Sequence, residues 1–314
     1  MKKGIYRKEY KENGKIIFRY YYYKNNREVS EKDYKRIKKL GIIPSYRDVW
    51  ISENEKDKLQ AYGYDNNGKK QYRYNEEFVK EMTKKKFERI VLLIEKLPKL
   101  KRVIKKDREL DIKEKDKVIS LMIELLLEYH MRIGKEEYAK NNKSYGLASL
   151  KRRHVKKDGK MIRIKYMGKS KQEIEYIVEK KRYVEDIKRL LKREGKESDN
   201  IFRYGEGKKI TYKDVNEYIK RKIGEFSAKD IRTYAANYRF VSALKRMREP
   251  ENEKEIRENI KRAYEITAER LRHTKNISKK SYVMDIIEEM YRENPIYFKE
   301  GNDANEIMKY AMRM

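Results

Sequence analysis

Two short segments carry residue types that could do chemistry together. One is Ser227-Ala228-Lys229-Asp230-Ile231-Arg232-Thr233-Tyr234, and the other runs from His273 to Tyr282 as His-Thr-Lys-Asn-Ile-Ser-Lys-Lys-Ser-Tyr. A tyrosine phenol, with a reference pKa near 10, is a poor nucleophile unless its surroundings favour the phenolate. If Tyr282 attacked a phosphodiester, the crowded phosphorane formed would be strongly anionic. Arginine suits that charge, because a guanidinium binds non-bridging oxygens in a fork and never loses its proton. Arg232, within the first turns of a helix, would add that helix's positive end to the same point. His273 could donate a hydrogen bond as the charge builds. Neither residue identifies itself alone: Tyr282 is one of 28 tyrosines, and a lone histidine is more often structural. His130 and His154 are read as structural.

These side chains need elements to hold them. Residues 1–76 read as β-rich. Glu12-Asn13-Gly14 turns the chain between Tyr6 and Tyr23, Val49-Trp50-Ile51 is a strand pattern, and Asn66-Asn67-Gly68 closes a hairpin between Lys58–Tyr64 and Lys69–Tyr74. From 77 to 314 the pattern is mainly helical. Helices are expected over Glu77–Leu97, ended by Pro98, and over Lys115–Ile133, ended by Gly134. Asp158-Gly159 gives the strongest hairpin signal, with a third strand at Ile174–Val178 after a turn at Gly168-Lys169-Ser170. Helices follow near Tyr183–Arg193, Lys213–Lys222, Ala228–Met247 and Glu253–Leu271. A last one is expected from a Ser278 N-cap through Tyr282 to Arg292. Thr211-x-x-Asp214 and Ser227-x-x-Asp230 have the form of capping boxes. The expected class is α+β: a small β-rich N-terminal domain, and a larger, mostly helical domain with a three-stranded hairpin region.

Composition narrows the partner. Lys and Arg total 83 against 52 Asp and Glu, a net charge of +31. Codon bias in an AT-rich genome explains part of the lysine count, but it predicts neither the frequent arginine nor the shortage of balancing glutamate. A polyanion is the expected partner. Zero cysteines exclude disulfides and thiolate metal sites, and three histidines leave no His-rich zinc site. Val118–Leu127, the most apolar stretch, is too short to span a bilayer. No secretory signal is read at Met1-Lys2-Lys3-Gly4-Ile5-Tyr6, so a soluble, intracellular protein is expected.

The two segments resemble the Lys-x-x-Arg box and the His-to-Tyr box of type IB DNA topoisomerases, most closely the compact poxvirus and giant-virus enzymes. Met131-Arg132-Ile133-Gly134-Lys135 is similar to the family's first arginine motif, placed at a helix C-terminus. Ile164-Lys165-Tyr166-Met167-Gly168-Lys169 is similar to its hairpin lysine motif. Asp48-Val49-Trp50 and Gly68-Lys69-Lys70-Gln71-Tyr72-Arg73-Tyr74 resemble its duplex-clamping β domain. Two departures stand out: Ala235-Ala236-Asn237 where the viral enzymes have Gly-Val-Asn, and Arg272 where a glycine is common.

The resemblance implies a catalytic set of Tyr282, Arg132, Lys169, Arg232 and His273. Lys169 would be the general acid for the leaving 5′ hydroxyl, with Lys171 the other candidate. Lys229, Lys69, Lys70, Tyr72, Arg73, Tyr74, Lys135, Tyr138 and Asn237 would contact DNA. It implies relaxation of duplex DNA through a 3′-phosphotyrosyl link by a monomer acting as a clamp. Neither metal, ATP nor any other cofactor is expected, and no membrane. A viral enzyme would work in the virion or a cytoplasmic viral factory. The rival is a tyrosine recombinase, which shares the catalytic domain. Recombinases usually carry His-x-x-Arg where this chain has Lys229-x-x-Arg232, and their N-terminal part is usually helical.

Overall fold

The computed structural model describes residues 3–313; Met1 and Lys2 of the N-terminal stretch read above lie outside them, as do Met314 and the side chain of the turn residue Ser170. The class is α+β. The residues pack as two compact units, one reaching Lys86 and the other beginning at Phe87.

The N-terminal unit is an antiparallel sheet of five strands: β1 (Ile5–Glu12), β2 (Lys15–Tyr22), β3 (Arg47–Ile51), β4 (Leu59–Tyr64) and β5 (Lys70–Tyr74), in the order β2-β1-β3-β4-β5. Asn13 and Gly14 both take positive φ (50° and 74°), as the tight turn from β1 to β2 requires. Alternation then sorts the side chains. Ile5, Tyr20, Val49, Ile51 and Ala61 bury one face against Ile37. The opposite face carries Tyr21, Tyr6, Trp50, Tyr62 and Tyr72, paired strand to strand across the sheet. Ile37 belongs to a helix that the β-rich reading missed, α1 (Glu31–Lys39), which starts where Ser30 accepts a hydrogen bond from the Asp33 amide.

α2 (Glu76–Asp107) corrects the expected stop at Pro98, which lies inside it. Proline removes one helical hydrogen bond, but Leu97, Leu100 and Ile104 are buried and carry the helix on. In the second unit, α3 (Lys115–Tyr129) ends four residues before the expected Ile133, because His130 takes a left-handed conformation (φ 53°). α4 (Glu136–Asn142) follows. The strands β6 (Val155–Asp158), β7 (Met161–Met167) and β8 (Glu173–Val178) form a three-stranded antiparallel sheet around the Asp158-Gly159 turn. Then come α5 (Lys181–Lys192), α6 (Tyr212–Ile223), α7 (Ala228–Arg246) and α8 (Glu253–Arg270). Both expected capping boxes are present, at Thr211/Asp214 and Ser227/Asp230.

The expected continuous helix from Ser278 to Arg292 is broken. Lys275–Ile277 is a single turn, Ser278–Tyr282 is wound as a π-turn, and Val283 is extended before α9 (Asp285–Glu293) begins. α10 (Ala304–Ala311) closes the fold. α7 packs against α3, α8 and α10 and is the spine of this unit. No helix among the described residues is long and apolar enough to cross a membrane.

Candidate active site

α7 supplies the first side chain. Its start is fixed by Ser227, whose amide donates to Asp230 Oδ2 at 2.8 Å. One turn later Arg232 is 5% exposed. Its Nη2 donates to the Leu271 carbonyl, while Nε and Nη1 make no hydrogen bond to the protein. Buried, unpaired N–H donors cost about 1–3 kcal/mol each, which is a cost a binding site carries until an acceptor arrives.

Arg132 reaches the same place from the irregular segment just past the end of α3. Its Nη1 donates to the Arg272 carbonyl at 3.1 Å. The two guanidinium groups thus bond successive carbonyls at the end of α8. Two glycines let the Arg132 segment lie against its neighbour. Gly134 (φ 71°) and Gly146 approach so closely that a Cβ on either would fall within 2.8 Å of the other's backbone. The Leu147 amide then donates to the Arg132 carbonyl at 2.9 Å. Neither arginine has a carboxylate partner among the described residues. Burial, followed by the charge of Arg232, holds the Arg132 guanidinium below its ordinary range.

Arg272, where a glycine is common in the resembling enzymes, sits at φ 51°. That conformation favours glycine and directs the next residue, His273, inward. His273 is 8% exposed, and its ring lies 4.9 Å from that of Tyr282. Its Nε2 is 2.7 Å from Ser278 Oγ, and Nδ1 has no partner in the protein. Ser278 is therefore not the helix cap expected; fully buried, it holds the histidine ring. Burial, then Arg232 and Arg132, push His273 down to about 3, so the ring is neutral near pH 7.

The Tyr282 ring is 5.8 Å from the Arg232 guanidinium carbon. Burial raises the phenol's pKa, but Arg232, Arg132 and Lys169 outweigh it, and the net effect is a pKa below the ordinary 10. Lys169, exposed at the turn after β7, is thus close enough to act on the phenol. Lys171, the alternative, takes a left-handed conformation (φ 56°) in the same turn.

Asn237 corrects an expectation. Expected at the DNA, it is instead wholly buried. Its Nδ2 donates to the carbonyls of Thr233 and Tyr282, both at 2.9 Å, and its Oδ1 accepts from the Met284 amide at 2.9 Å. It braces the backbone on both sides of Val283, where the helix is broken. Arg73 is likewise turned inward, on the core face of its sheet, donating to the carbonyls of Leu40 and Gly41 at 3.1 and 3.2 Å. Tyr72 and Tyr74 are 44% and 45% exposed on the other face. There Lys70 Nζ lies 3.6 Å from the Tyr62 ring centre, and Lys69 is exposed. Lys229 is exposed. Lys135 Nζ lies 5.9 Å from the ring of Tyr138, which is 49% exposed.

Reading the sequence alone missed Ser278 as the partner of His273. It also missed Tyr166 and Tyr176, buried on β7 and β8, whose phenols feel both arginines and are held neutral chiefly by burial. Alternation on β7 and β8 marks both as inward-facing, but nothing in the sequence points them at the arginines.

Comparison with known proteins shows the family. Residues 69–306 match the family described as eukaryotic DNA topoisomerase I, catalytic core, and residues 17–65 match the bacterial DNA topoisomerase IB N-terminal domain. The chain is 42% identical to the DNA topoisomerase 1B of Acanthamoeba polyphaga mimivirus, over 97% of this chain and 92% of that one. It is 29% identical to the DNA topoisomerase 1B of Vaccinia virus (strain Copenhagen), over 81% of this chain and 78% of that one. Monkeypox virus DNA topoisomerase I is 28% identical over the same shares. A two-part family match across nearly the whole chain, with 42% identity to a viral DNA topoisomerase 1B over 97% of it, places this protein among the type IB DNA topoisomerases.

Proposed function

We propose that the enzyme relaxes supercoiled duplex DNA by transiently linking one strand to Tyr282. The phenol oxygen bonds to a backbone phosphorus as the bond to the 5′ oxygen breaks; the phenol proton goes to solvent, and Lys169 gives a proton to the leaving 5′ oxygen. The broken strand swivels, and the 5′ hydroxyl then attacks the phosphotyrosyl phosphorus to restore both partners. Bond energy is kept in the covalent link, so the cycle consumes no ATP, and the charged groups already present do the work a metal would do.

The observation that carries this reading is Arg232, buried, with two guanidinium nitrogens, Nε and Nη1, free to bond an incoming acceptor, beside a phenol whose pKa it helps to lower. A phosphate with two non-bridging oxygens would satisfy Arg232 and Arg132 together. If the Ser278 hydroxyl donates to Nε2, the His273 proton sits on Nδ1, the nitrogen left to meet the phosphate. Ser278 is then a positioning residue for the histidine.

Duplex binding is assigned to phosphate contacts from both units. Lys229, Lys135 and Tyr138 serve in the larger unit. In the smaller, Lys69, Lys70, Tyr72 and Tyr74 serve, extended by Lys8 and Arg19, which pair across β1 and β2 on the same face. The enzyme acts as a monomeric clamp in a virion or viral factory; the viral source of its relatives supports a viral origin.

The test is incubation with negatively supercoiled plasmid in EDTA without ATP. Stepwise relaxation by the wild type, absent in Tyr282→Phe, is expected. Relaxation that persists in Tyr282→Phe contradicts the assignment, and strand exchange between defined sites without relaxation points to recombination.

A further inference from the structure

We propose that Arg239 and His130 form a positioning pair that ties the Arg132 segment to α7, so that one helix sets both phosphate-binding arginines. The proposal rests on the phosphate-binding reading above. Arg232 and Arg239 are seven residues apart on α7, two turns along one face of the helix. Arg232 enters the site directly. Arg239 donates from Nε to His130 Nε2 at 2.9 Å. His130 is two residues before Arg132, at most about 7 Å of chain, so fixing one limits where the other can go.

His130 is 4% exposed and left-handed at φ 53°, a conformation that a non-glycine residue keeps only when its surroundings hold it. This residue ends α3 early and turns the chain into the irregular segment carrying Arg132. Burial, with the charges of Arg239 and Arg232, keeps the ring neutral, down at about 3, so Nε2 retains its lone pair for Arg239. On the other side, Arg239 is half-buried, its guanidinium held below the ordinary range by burial and by Arg270. A half-buried cation that spends its donor on a neutral ring gains little stability for its desolvation. Precise placement of a catalytic neighbour gives that expense a purpose.

The experiment is single-turnover formation of the covalent protein–DNA adduct on a duplex whose cleaved end dissociates, with DNA affinity measured in parallel. A misplacement of about 1 Å in a catalytic group costs on the order of a hundredfold. Arg239→Met, which keeps the aliphatic stem, is expected to slow cleavage by about ten- to hundredfold with DNA affinity changed less than about twofold. His130→Phe should match it, and His130→Gln, which keeps an acceptor, should recover most of the rate. In an Arg132→Ala background, Arg239→Met should add no further loss, because its target is gone. An equal further loss in that background would make the pair merely structural and overturn the proposal. So would a full rate in Arg239→Met. Absence of any wild-type adduct would instead remove the phosphotyrosyl reading, and the proposal with it.

Discussion

Replacing Asn237 by alanine should disable the nucleophile without loosening DNA. The amide is the only side chain bridging the backbone either side of Val283 among the bonds described, through the Tyr282 carbonyl and the Met284 amide. Met284 is fully buried, so water cannot replace the lost acceptor. An unsatisfied buried group costs about 1–3 kcal/mol. If about 2–3 kcal/mol of that favours the displaced over the native segment, the competent population falls by roughly 30- to 150-fold. Single-turnover adduct formation should fall by that factor, with the dissociation constant for a nicked duplex changed less than about threefold. Asn237→Asp should do no better, since its carboxylate accepts from Met284 but cannot donate to the Tyr282 carbonyl. A cleavage rate within threefold of wild type, or a loss of rate matched by a loss of DNA affinity, would refute the bracing role.

Three other outcomes follow from the same geometry. Lys169→Ala should cleave slowly on ordinary DNA and recover on a substrate with sulfur at the 5′ bridging position, because a thiolate leaves without a proton; failure to recover, or recovery by Lys171→Ala instead, removes Lys169 as the acid. His130 and His273, down at about 3, and His154, down at about 4, all lie below the roughly 6.5 of an unfolded chain. Only the unfolded chain takes up protons as pH falls through that window, so stability is lost from about pH 6.5 downward, by up to about 1.4 kcal/mol per pH unit per histidine. Denaturant midpoints at pH 7 and pH 5 read this, and a flat profile contradicts it. Arg272→Gly should relieve about 1 kcal/mol of left-handed strain and leave cleavage within about threefold, because Arg132 bonds the backbone carbonyl of residue 272 and not its side chain; a tenfold loss would show that the guanidinium is needed.

The chemistry was more legible in the sequence than the local structure that serves it. Arg132, Arg232, His273 and Tyr282 are residue types with few ordinary substitutes around an anionic phosphorane, and their order along the chain survives folding. Capping boxes were readable for a similar reason, since Ser227 and Asp230 satisfy each other within one turn. Ser30, which accepts from the Asp33 amide, starts α1 by a one-sided cap of this kind, inside a stretch read as β-rich. Other features depend on packing that no local pattern records. Pro98 is tolerated because neighbouring leucines are buried, and α3 stops at Tyr129, short of Gly134, because the buried His130 takes a left-handed conformation. Asn237 is assigned to DNA by resemblance alone; only tertiary structure places it under a broken helix. The alternation that assigns Tyr72 and Tyr74 to one face also turns Arg73 to the other, a distinction available from strand register once the sheet is known.

The central claim is that Tyr282 becomes joined to the 3′ end of a cleaved strand. Trapping the adduct on a duplex labelled upstream of the break, digesting the protein and sequencing the nucleotide-bearing peptide by mass spectrometry tests it directly. The account predicts one modified residue, Tyr282, carrying a 3′-phosphate linkage in a reaction containing EDTA, and no adduct from Tyr282→Phe. A modified peptide from any of the other tyrosines, or a link to the 5′ end, would contradict it.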